Sequence, residues 1–438
     1  MTKTGQSGQH EKLAIDGGNP AFSGMAGKPE PKVGVSEFLM IAERFGFSDE
    51  AMGRLRETLS DADLGGGPHL GRYYGSASPS MGDRFEALAR EKFGVKHAYA
   101  VCNGTCALQA ALMAVGVGPG TEIIVPATGF IATGMAGAFF GATPIYCDVD
   151  ASLQMDPDKL EALITPRTAA VLPTHHWGFV SAMDPIVDSA RRHNIAVIED
   201  CAQSPGATYH GRPVGSLGDI GCFSISSYKI IGGGEGGMIV TNDDRLFDRI
   251  RQAAEAGGLW RPDRFAKPRY DGELFAGSNY RMSELESAID VIQMQKLDGI
   301  VSRHRHIWKR IRERLSNFQE ITWQSSNDPD GDIGYLMRFF PRDHALGDKI
   351  VEALQAEGIG ARCRGPEAGP DWHLYRYHFP LFDTAKEHCR PECCPVAADL
   401  YERCISISLN QWWSDADCDA VAGGINKVLN AYCTRLKA

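Results

Sequence analysis

Apolar and polar positions along the chain change period repeatedly from about residue 84 onward. "DRFEALAREKFGV" carries its apolar residues at helical spacing, and "HAYAVC" is a short apolar run of strand length. The alternation then continues: "GTCALQAALMAVG" helix, "EIIVPA" strand, "GFIATGMAGAFFG" helix, "TPIYCDV" strand, "DPDKLEALI" helix, "AAVLPTHH" strand, "MDPIVDSARRHN" helix, "IAVIED" strand. Strand and helix taking turns across short connections predict an α/β domain with a mostly parallel sheet flanked by helices. Ligands of such sheets sit at the carboxyl ends of the strands. After "GMIVTN" and the helix "RLFDRIRQAAEA" the pattern loosens through residues 257–278. A long amphipathic stretch from "MSELES" to "RERL" follows and predicts a spine helix leaving the large domain. Beyond about residue 320, "ITWQS" and "GYLMRFF" read as strands. "ALGDKIVEALQAEGI" and "DADCDAVAGGINKVLNAYCTRL" read as helices of a smaller α+β unit. The expected organisation is a lead-in arm over 1–83, a large α/β domain over 84–300 and a small C-terminal domain over 301–438. No internal repeat or low-complexity segment interrupts it.

Composition narrows the function classes. The chain has 438 residues, 43% hydrophobic and 23% charged, with a net charge of −10. These are ordinary globular proportions. The acidic balance disfavours a nucleic-acid partner, which calls for a concentrated basic face. No apolar run approaches the roughly 20 residues of a membrane span. The polar start "MTKTGQSGQHEKLAIDGGN" lacks a signal-peptide core, so a cytoplasmic location is expected. Among the twelve cysteines, "HCRPECCP" gathers His388, Cys389, Cys393 and Cys394. The spacing matches no zinc pattern, and the adjacent Cys393 and Cys394 converge poorly on one ion, so no metal is expected. The other cysteines lie in apolar stretches and read as small core residues. A disulfide framework is not expected.

Candidate chemistry starts at "SSYKIIGGGEGGMIV", residues 226–240. Gly232, Gly234 and Gly237 match the dinucleotide spacing G-x-G-x-x-G. That fingerprint works by closing a strand and opening a helix. Here a β-branched strand follows the glycines, so they read instead as room for a tight backbone beside a ligand. Lys229 becomes the residue of interest. It follows the apolar strand "IGCFSIS" at the ligand edge of the sheet, where a lysine can lose hydration and serve Schiff-base chemistry. Asp200 closes the strand "IAVIED" at the same edge, suited to a metal or to a cofactor's ring nitrogen. "VCNGTCALQAAL" ends a strand in Asn-Gly-Thr and opens a helix, an arrangement that serves equally as an anion site and as an ordinary cap. An anion site, an acid for a ring nitrogen and a Schiff-base lysine fall in the order that a pyridoxal phosphate site uses.

These residues resemble the DegT/StrS family of aminotransferases, the mostly sugar-directed branch of fold-type I pyridoxal phosphate enzymes. The likeness rests on "NGTCALQAAL", "VPATGFIATGMA", "EDCAQSPGATYHGRPVGSLGDIGCFS", "FSISSYKIIGGGEGGMIVT" and "GSNYRMSELESAI", five motifs in order between about residues 84 and 300. It implies pyridoxal 5′-phosphate joined to Lys229, which then acts as the proton-transfer base. It implies that Asp200 pairs with the pyridine nitrogen, that Gln203 lies near the phenolic oxygen and that Phe130 stacks on the ring. Gly104, Thr105, the amide of Cys106 and Ser224 would hold the phosphate. Asn279 would reach the phosphate of a neighbouring subunit, making a homodimer with shared sites. The expected reaction moves an amino group from glutamate or glutamine to a carbonyl on a nucleotide-linked keto-hexose, a cyclitol ketone or a keto-acid sugar. Relatives in which histidine replaces the lysine run dehydration, and a non-catalytic regulator is a second alternative. Retention of Lys229 favours transamination. The family's "H.YG" stretch is altered to "THHWGF" (174–179), with Trp177 open to a packing role. Arg72, Tyr73 and Tyr74, Arg362 and Arg364, and the "RYHF" stretch are candidates for substrate contact.

Overall fold

The computed structural model describes residues 12–24, 31–65, 67, 69–71, 79–258, 267–365 and 391–437. Arg72, Tyr73, Tyr74, the "RYHF" stretch, His388 and Cys389 lie outside these. Met1–His69 and Leu70–Ala438 form two compact units. The first holds helices α1 (Val35–Glu43) and α2 (Asp49–Thr58). Ser48 caps α2 by accepting from the amide of Ala51 at 3.3 Å. Phe38, Phe45 and Phe47 are exposed on this unit.

The second unit contains α3 (Met81–Phe93), α4 (Gly104–Ala114), α5 (Ala132–Ala138), α6 (Pro157–Leu160), α7 (Met183–Arg192), α8 (Asp244–Ala254), α9 (Glu284–Arg312), α10 (His344–Ala356), α11 (Pro395–Arg403) and α12 (Asp415–Tyr432). Its strands are β1 (His97–Val101), β2 (Glu122–Pro126), β3 (Thr143–Cys147), β4 (Thr168–Val171), β5 (Ala196–Asp200), β6 (Thr208–Tyr209), β7 (Arg212–Pro213), β8 (Ile220–Ser224), β9 (Gly237–Thr241), β10 (Ile321–Trp323), β11 (Leu336–Pro341), β12 (Ala361–Cys363) and β13 (Ile405–Ser408). The large sheet runs β1-β9-β8-β5-β4-β2-β3. β9 is antiparallel to both of its neighbours, and the other pairings are parallel. β1, β2, β3, β4, β5 and β8 therefore point the same way, and their carboxyl ends share one edge. The strands are apolar on both faces because helices cover both. One core layer gathers Leu108, Leu112 and Ile250 from α4 and α8, and the other gathers Phe85, Phe93, Ile186 and Leu297 from α3, α7 and α9.

The second sheet is antiparallel, in the order β10-β11-β13-β12. Its core face presents Met337, Phe339, Ile405 and Ile407 to α10 and α12. By strand alternation Leu336, Arg338, Ser406 and Ser408 occupy the opposite face. Helix α9 links the two regions: Met294, Leu297 and Val301 belong to a core layer of the large sheet, Ile307 and Ile311 to that of the second. Three sequence expectations change in detail. "DPDKLEALI" splits into the short α6 and a 3-10 turn over Glu161–Leu163, the "AAVLPTHH" strand closes at Val171, and β12, α11 and β13 add elements the pattern did not predict. No described cysteine is in a disulfide. Cys393 is exposed while Cys394 is buried and donates to the carbonyl of Tyr146 at 3.6 Å.

Candidate active site

Four of the parallel strands deliver the predicted residues to the shared carboxyl edge. β1 ends just before Asn103, whose Oδ1 accepts from the amide of Cys106 at 2.8 Å and so caps α4. The amide assigned to phosphate at Cys106 is thus engaged by Asn103, which leaves the first-turn amides of Gly104 and Thr105 as the unused donors. Gly104 is glycine for a packing reason: a Cβ there would lie 2.7 Å from the Cβ of Ser224 at the end of β8. Asp200 closes β5 at 3% exposure. Its Oδ2 accepts from Thr133 at 2.6 Å, and its Oδ1 from the amide of Ala202 at 3.0 Å. Each carboxylate oxygen retains acceptor capacity for a further donor. Thr133 was not singled out in the sequence, although it lies within the quoted "GFIATGMA" motif.

Lys229 follows β8 in a turn closed by its own amide, which donates to the Ser226 carbonyl at 2.9 Å. The glycine loop then returns the chain along the edge into β9. At Gly237 a Cβ would lie 2.4 Å from the Asn103 carbonyl oxygen, so the close approach of the two backbones requires glycine. Burial lowers the Lys229 pKa below the ordinary lysine value, and the charge of Asp200 partly opposes this. Two cavities share Gln203, Tyr228 and Lys229 as lining. One, of about 650 Å³, is lined further by Gly104, Thr105, Cys106, Phe130, Asp200 and Ser224. The other, of about 930 Å³, runs from Trp177 to Arg362 and Ser406 of the second sheet. Eight of the nine predicted site residues thus meet around the first cavity. The ninth, Asn279, is not among its lining residues. It is exposed, and its Oδ1 accepts from the Arg281 amide at 3.3 Å.

Within the altered "THHWGF" stretch Trp177 lines the second cavity, and Thr174, His175, His176 and Phe179 are buried. His175 is fully buried, with Nε2 3.0 Å from Glu199 Oε2. Glu199 also accepts from the amides of Gly215, Leu217 and Gly218 at 2.7–2.8 Å. His175, Glu199 and Cys201 cluster closely enough to hold an ion. These hydrogen bonds already account for the carboxylate. His176 pairs through Nε2 with the Tyr401 hydroxyl at 2.8 Å. Burial, then the charges of Arg338, Arg364 and Lys229, hold its pKa well below the usual histidine range. Trp177 adopts a left-handed backbone (φ 57°), and its amide donates to Gln203 Oε1 at 2.8 Å.

A deeply seated carboxylate, a desolvated lysine and free helix-start amides around one cavity suit a phosphorylated, protonated pyridine aldehyde. The fold and this site define a fold-type I pyridoxal phosphate transferase. A model of the DegT/DnrJ/EryC1/StrS aminotransferase family matches residues 78–426, and the chain belongs to that family, with pyridoxal phosphate as cofactor. The chain is similar to the GDP-perosamine synthase of Caulobacter vibrioides, 36% identical over 350 residues that span 79% of this chain and 89% of the relative. The UDP-N-acetyl-3-dehydro-alpha-D-glucosamine 3-aminotransferase of Acidithiobacillus ferrooxidans is 34% identical over 345 residues, 78% of this chain and 87% of the relative. Among solved structures, DesV of S. venezuelae superposes with a TM-score of 0.68 at 27% identity, covering 89% of this chain and 96% of that one. Among the described residues no helix is long and apolar enough to cross a membrane.

Proposed function

We propose that this aminotransferase moves an amino group from glutamate or glutamine to the carbonyl of a nucleotide-linked keto-hexose. The observation that carries the reading is the position of Lys229 between two cavities, one furnished with helix-start amides and Asp200, the other open toward the second sheet. The nucleotide-sugar names of both relatives favour that acceptor over a cyclitol ketone or a keto-acid sugar. Bound in the first cavity, the cofactor supplies an electron sink for the amino acid's Cα–H bond. The backbone amides of Gly104 and Thr105 and the Ser224 hydroxyl would hold its phosphate, Phe130 its ring face and Gln203 its phenolic oxygen. Asp200 would keep the proton on the ring nitrogen, held in place by Thr133. Lys229 Nζ would carry the substrate proton between carbons, a task that its lowered pKa suits. Residues 84–300 form the cofactor side in this reading and 301–438 the substrate side. Asn279, exposed on its own chain, would complete the phosphate site of a second copy.

Retention of Lys229 favours transfer over dehydration. The purified protein with pyridoxal phosphate is expected to show a visible absorbance band that borohydride fixes onto Lys229 and that glutamate or glutamine bleaches. An acceptor screen across the three carbonyl groups then identifies the substrate. A protein that gains no band, or a Lys229→Ala variant that is still fixed by borohydride, would refute the assignment. Homodimeric sharing is tested by mixing Lys229→Ala and Asn279→Ala chains, which should regain activity that neither has alone.

A further inference from the structure

Cys102 and Cys106 flank the turn that carries β1 into α4. Asn103 joins them: its Oδ1 accepts from the amide of Cys106 at 2.8 Å, and its Nδ2 donates to the Cys102 sulfur at 3.8 Å. The Cys102 amide donates to the Tyr280 carbonyl at 2.8 Å, which fixes that end of the turn. Both side chains are half-buried and pack against the core layer that includes Leu108 and Leu112. Cys106 also lines the cavity of about 650 Å³, beside Gly104 and Thr105. The two thiols meet, with Cys106 donating to the sulfur of Cys102. That bond comes first in bringing the Cys102 thiol down to about 7, against burial and the charge of Glu235. The same bond, then burial, pushes the Cys106 thiol up. Tyr280 is a further titratable group within reach of the pair. Cys201 and Cys222 also adjoin, but both are buried away from solvent.

We propose that Cys102 and Cys106 form a thiol–disulfide exchange site whose closure disturbs the phosphate end of the cofactor cavity. Cys102 is the attacking group and Cys106 the resolving one. The reagent class is a small disulfide, with oxidised glutathione as the probe. The Cys102 thiolate attacks one sulfur of the probe, whose S–S bond breaks as a mixed disulfide forms and one glutathione thiolate leaves. The Cys106 thiol gives its proton to solvent, and its sulfur attacks Cys102 and displaces the second glutathione. Two protein thiols are oxidised, and one disulfide is reduced to two thiols. A thiol whose pKa lies near the ambient pH is best placed for the first step. A finished bridge draws the sulfurs to about 2.05 Å. Cys106 then moves toward Cys102 with the Asn103 cap between them, and the first-turn amides of Gly104 and Thr105 turn with it. The inference rests on those amides holding the phosphate.

The test incubates the full chain in glutathione buffers of rising oxidised share, as wild type, Cys102→Ser and Cys106→Ser, and reads mass. Cys363 and Cys433 are half-buried and Cys393 is exposed, so alkylation and peptide mapping assign each adduct. Wild type should lose two hydrogens between Cys102 and Cys106. Cys106→Ser should stop with glutathione on Cys102, and Cys102→Ser should leave Cys106 a free thiol. Wild type that keeps both thiols, or that holds glutathione on Cys102 without resolving it, overturns the proposal. A cofactor titration should then show affinity about 10- to 100-fold weaker in the closed form, the worth of one or two hydrogen bonds to a charged group. By linkage, saturating pyridoxal phosphate should raise the oxidised share needed for half closure by the same factor. A pair that closes with affinity and midpoint unchanged also overturns the proposal. Gly104→Ala separates that failure from failure of the phosphate assignment, because it crowds the same turn without oxidation. If Gly104→Ala weakens the cofactor and closure does not, the phosphate assignment stands and the exchange site loses its effect on it; if neither does, both fall.

Discussion

Asp290, on α9, is fully buried against the glycine loop that follows Lys229, and neither of its carboxylate oxygens has a hydrogen-bond partner among the described residues. A Cβ on Gly233 would lie 2.2 Å from Asp290 Oδ1, and one on Gly236 would lie 2.9 Å from Oδ2. Burial first, and then the charge of Glu286 one turn earlier, raise the Asp290 pKa from 3.8 to about 8. Glu286, desolvated and beside Glu235, is shifted the same way. Asp290 is therefore protonated in the folded chain at neutral pH and ionised in the unfolded one. Since the folded state holds the proton more tightly, stability falls as pH rises from about 4 to about 8 and the loss saturates above that. At about 1.4 kcal/mol for each pH unit in this window, the loss reaches about 2 kcal/mol at pH 5 and about 4 kcal/mol at pH 7.

Asp290→Asn removes the titration while nearly keeping the shape. Its unpartnered amide adds a cost of its own, but that cost does not vary with pH, so the slope is the quantity to read. Urea unfolding of both proteins with a fixed excess of cofactor, at pH 5, 6, 7 and 8, should show the variant gaining on wild type by about 2–3 kcal/mol between pH 5 and 7. Asp332, whose pKa burial raises to about 7, contributes the same slope to both proteins and cancels. A gap between the two curves that stays constant with pH would refute the reasoning, because it would mean that Asp290 is ionised in the folded protein and has found a cation.

Lys229→Ala should lower turnover by at least about 10⁴-fold while cofactor still binds in the cavity, checked by steady-state rates and a cofactor titration. Gly104→Ala pushes a methyl group onto Ser224, so cofactor affinity should fall about tenfold to a hundredfold, read by the same titration, with α4 intact by circular dichroism. Glu199→Ala strands His175, the buried amides of Gly215 and Leu217 and the half-buried amide of Gly218. It should cost about 3–5 kcal/mol in urea unfolding, far more than an exposed carboxylate such as Glu50 would.

What could be read in the sequence follows from where strands end. Asp200, Ser224, Asn103 and Lys229 each lie at or just beyond the carboxyl end of an apolar run, and parallel strands must bring such ends to one edge, so their meeting follows from the alternation itself. Residues whose meaning depends on a partner from another element could not be read this way. Arg338 in "GYLMRFF" looks like the polar face of an alternating strand, and only the fold puts Trp177 on it. Thr133 looks like one more small residue of a helix until its hydroxyl meets Asp200. β12 spans three residues, too few for a period of two to declare itself. The glycine loop lies between these cases. Its resemblance to a dinucleotide fingerprint is a coincidence of spacing, and the reading of glycine as room for the backbone holds at Gly237. The room at Gly233 and Gly236 is not for a cofactor. It is filled by the carboxylate of Asp290, 54 residues beyond Gly236 in a helix whose apolar period gave no reason to expect a buried acid facing the lysine loop. Gly233→Ala should therefore be tolerated better beside Asp290→Gly than alone in urea unfolding, because the added methyl group and the Asp290 carboxylate compete for the same space.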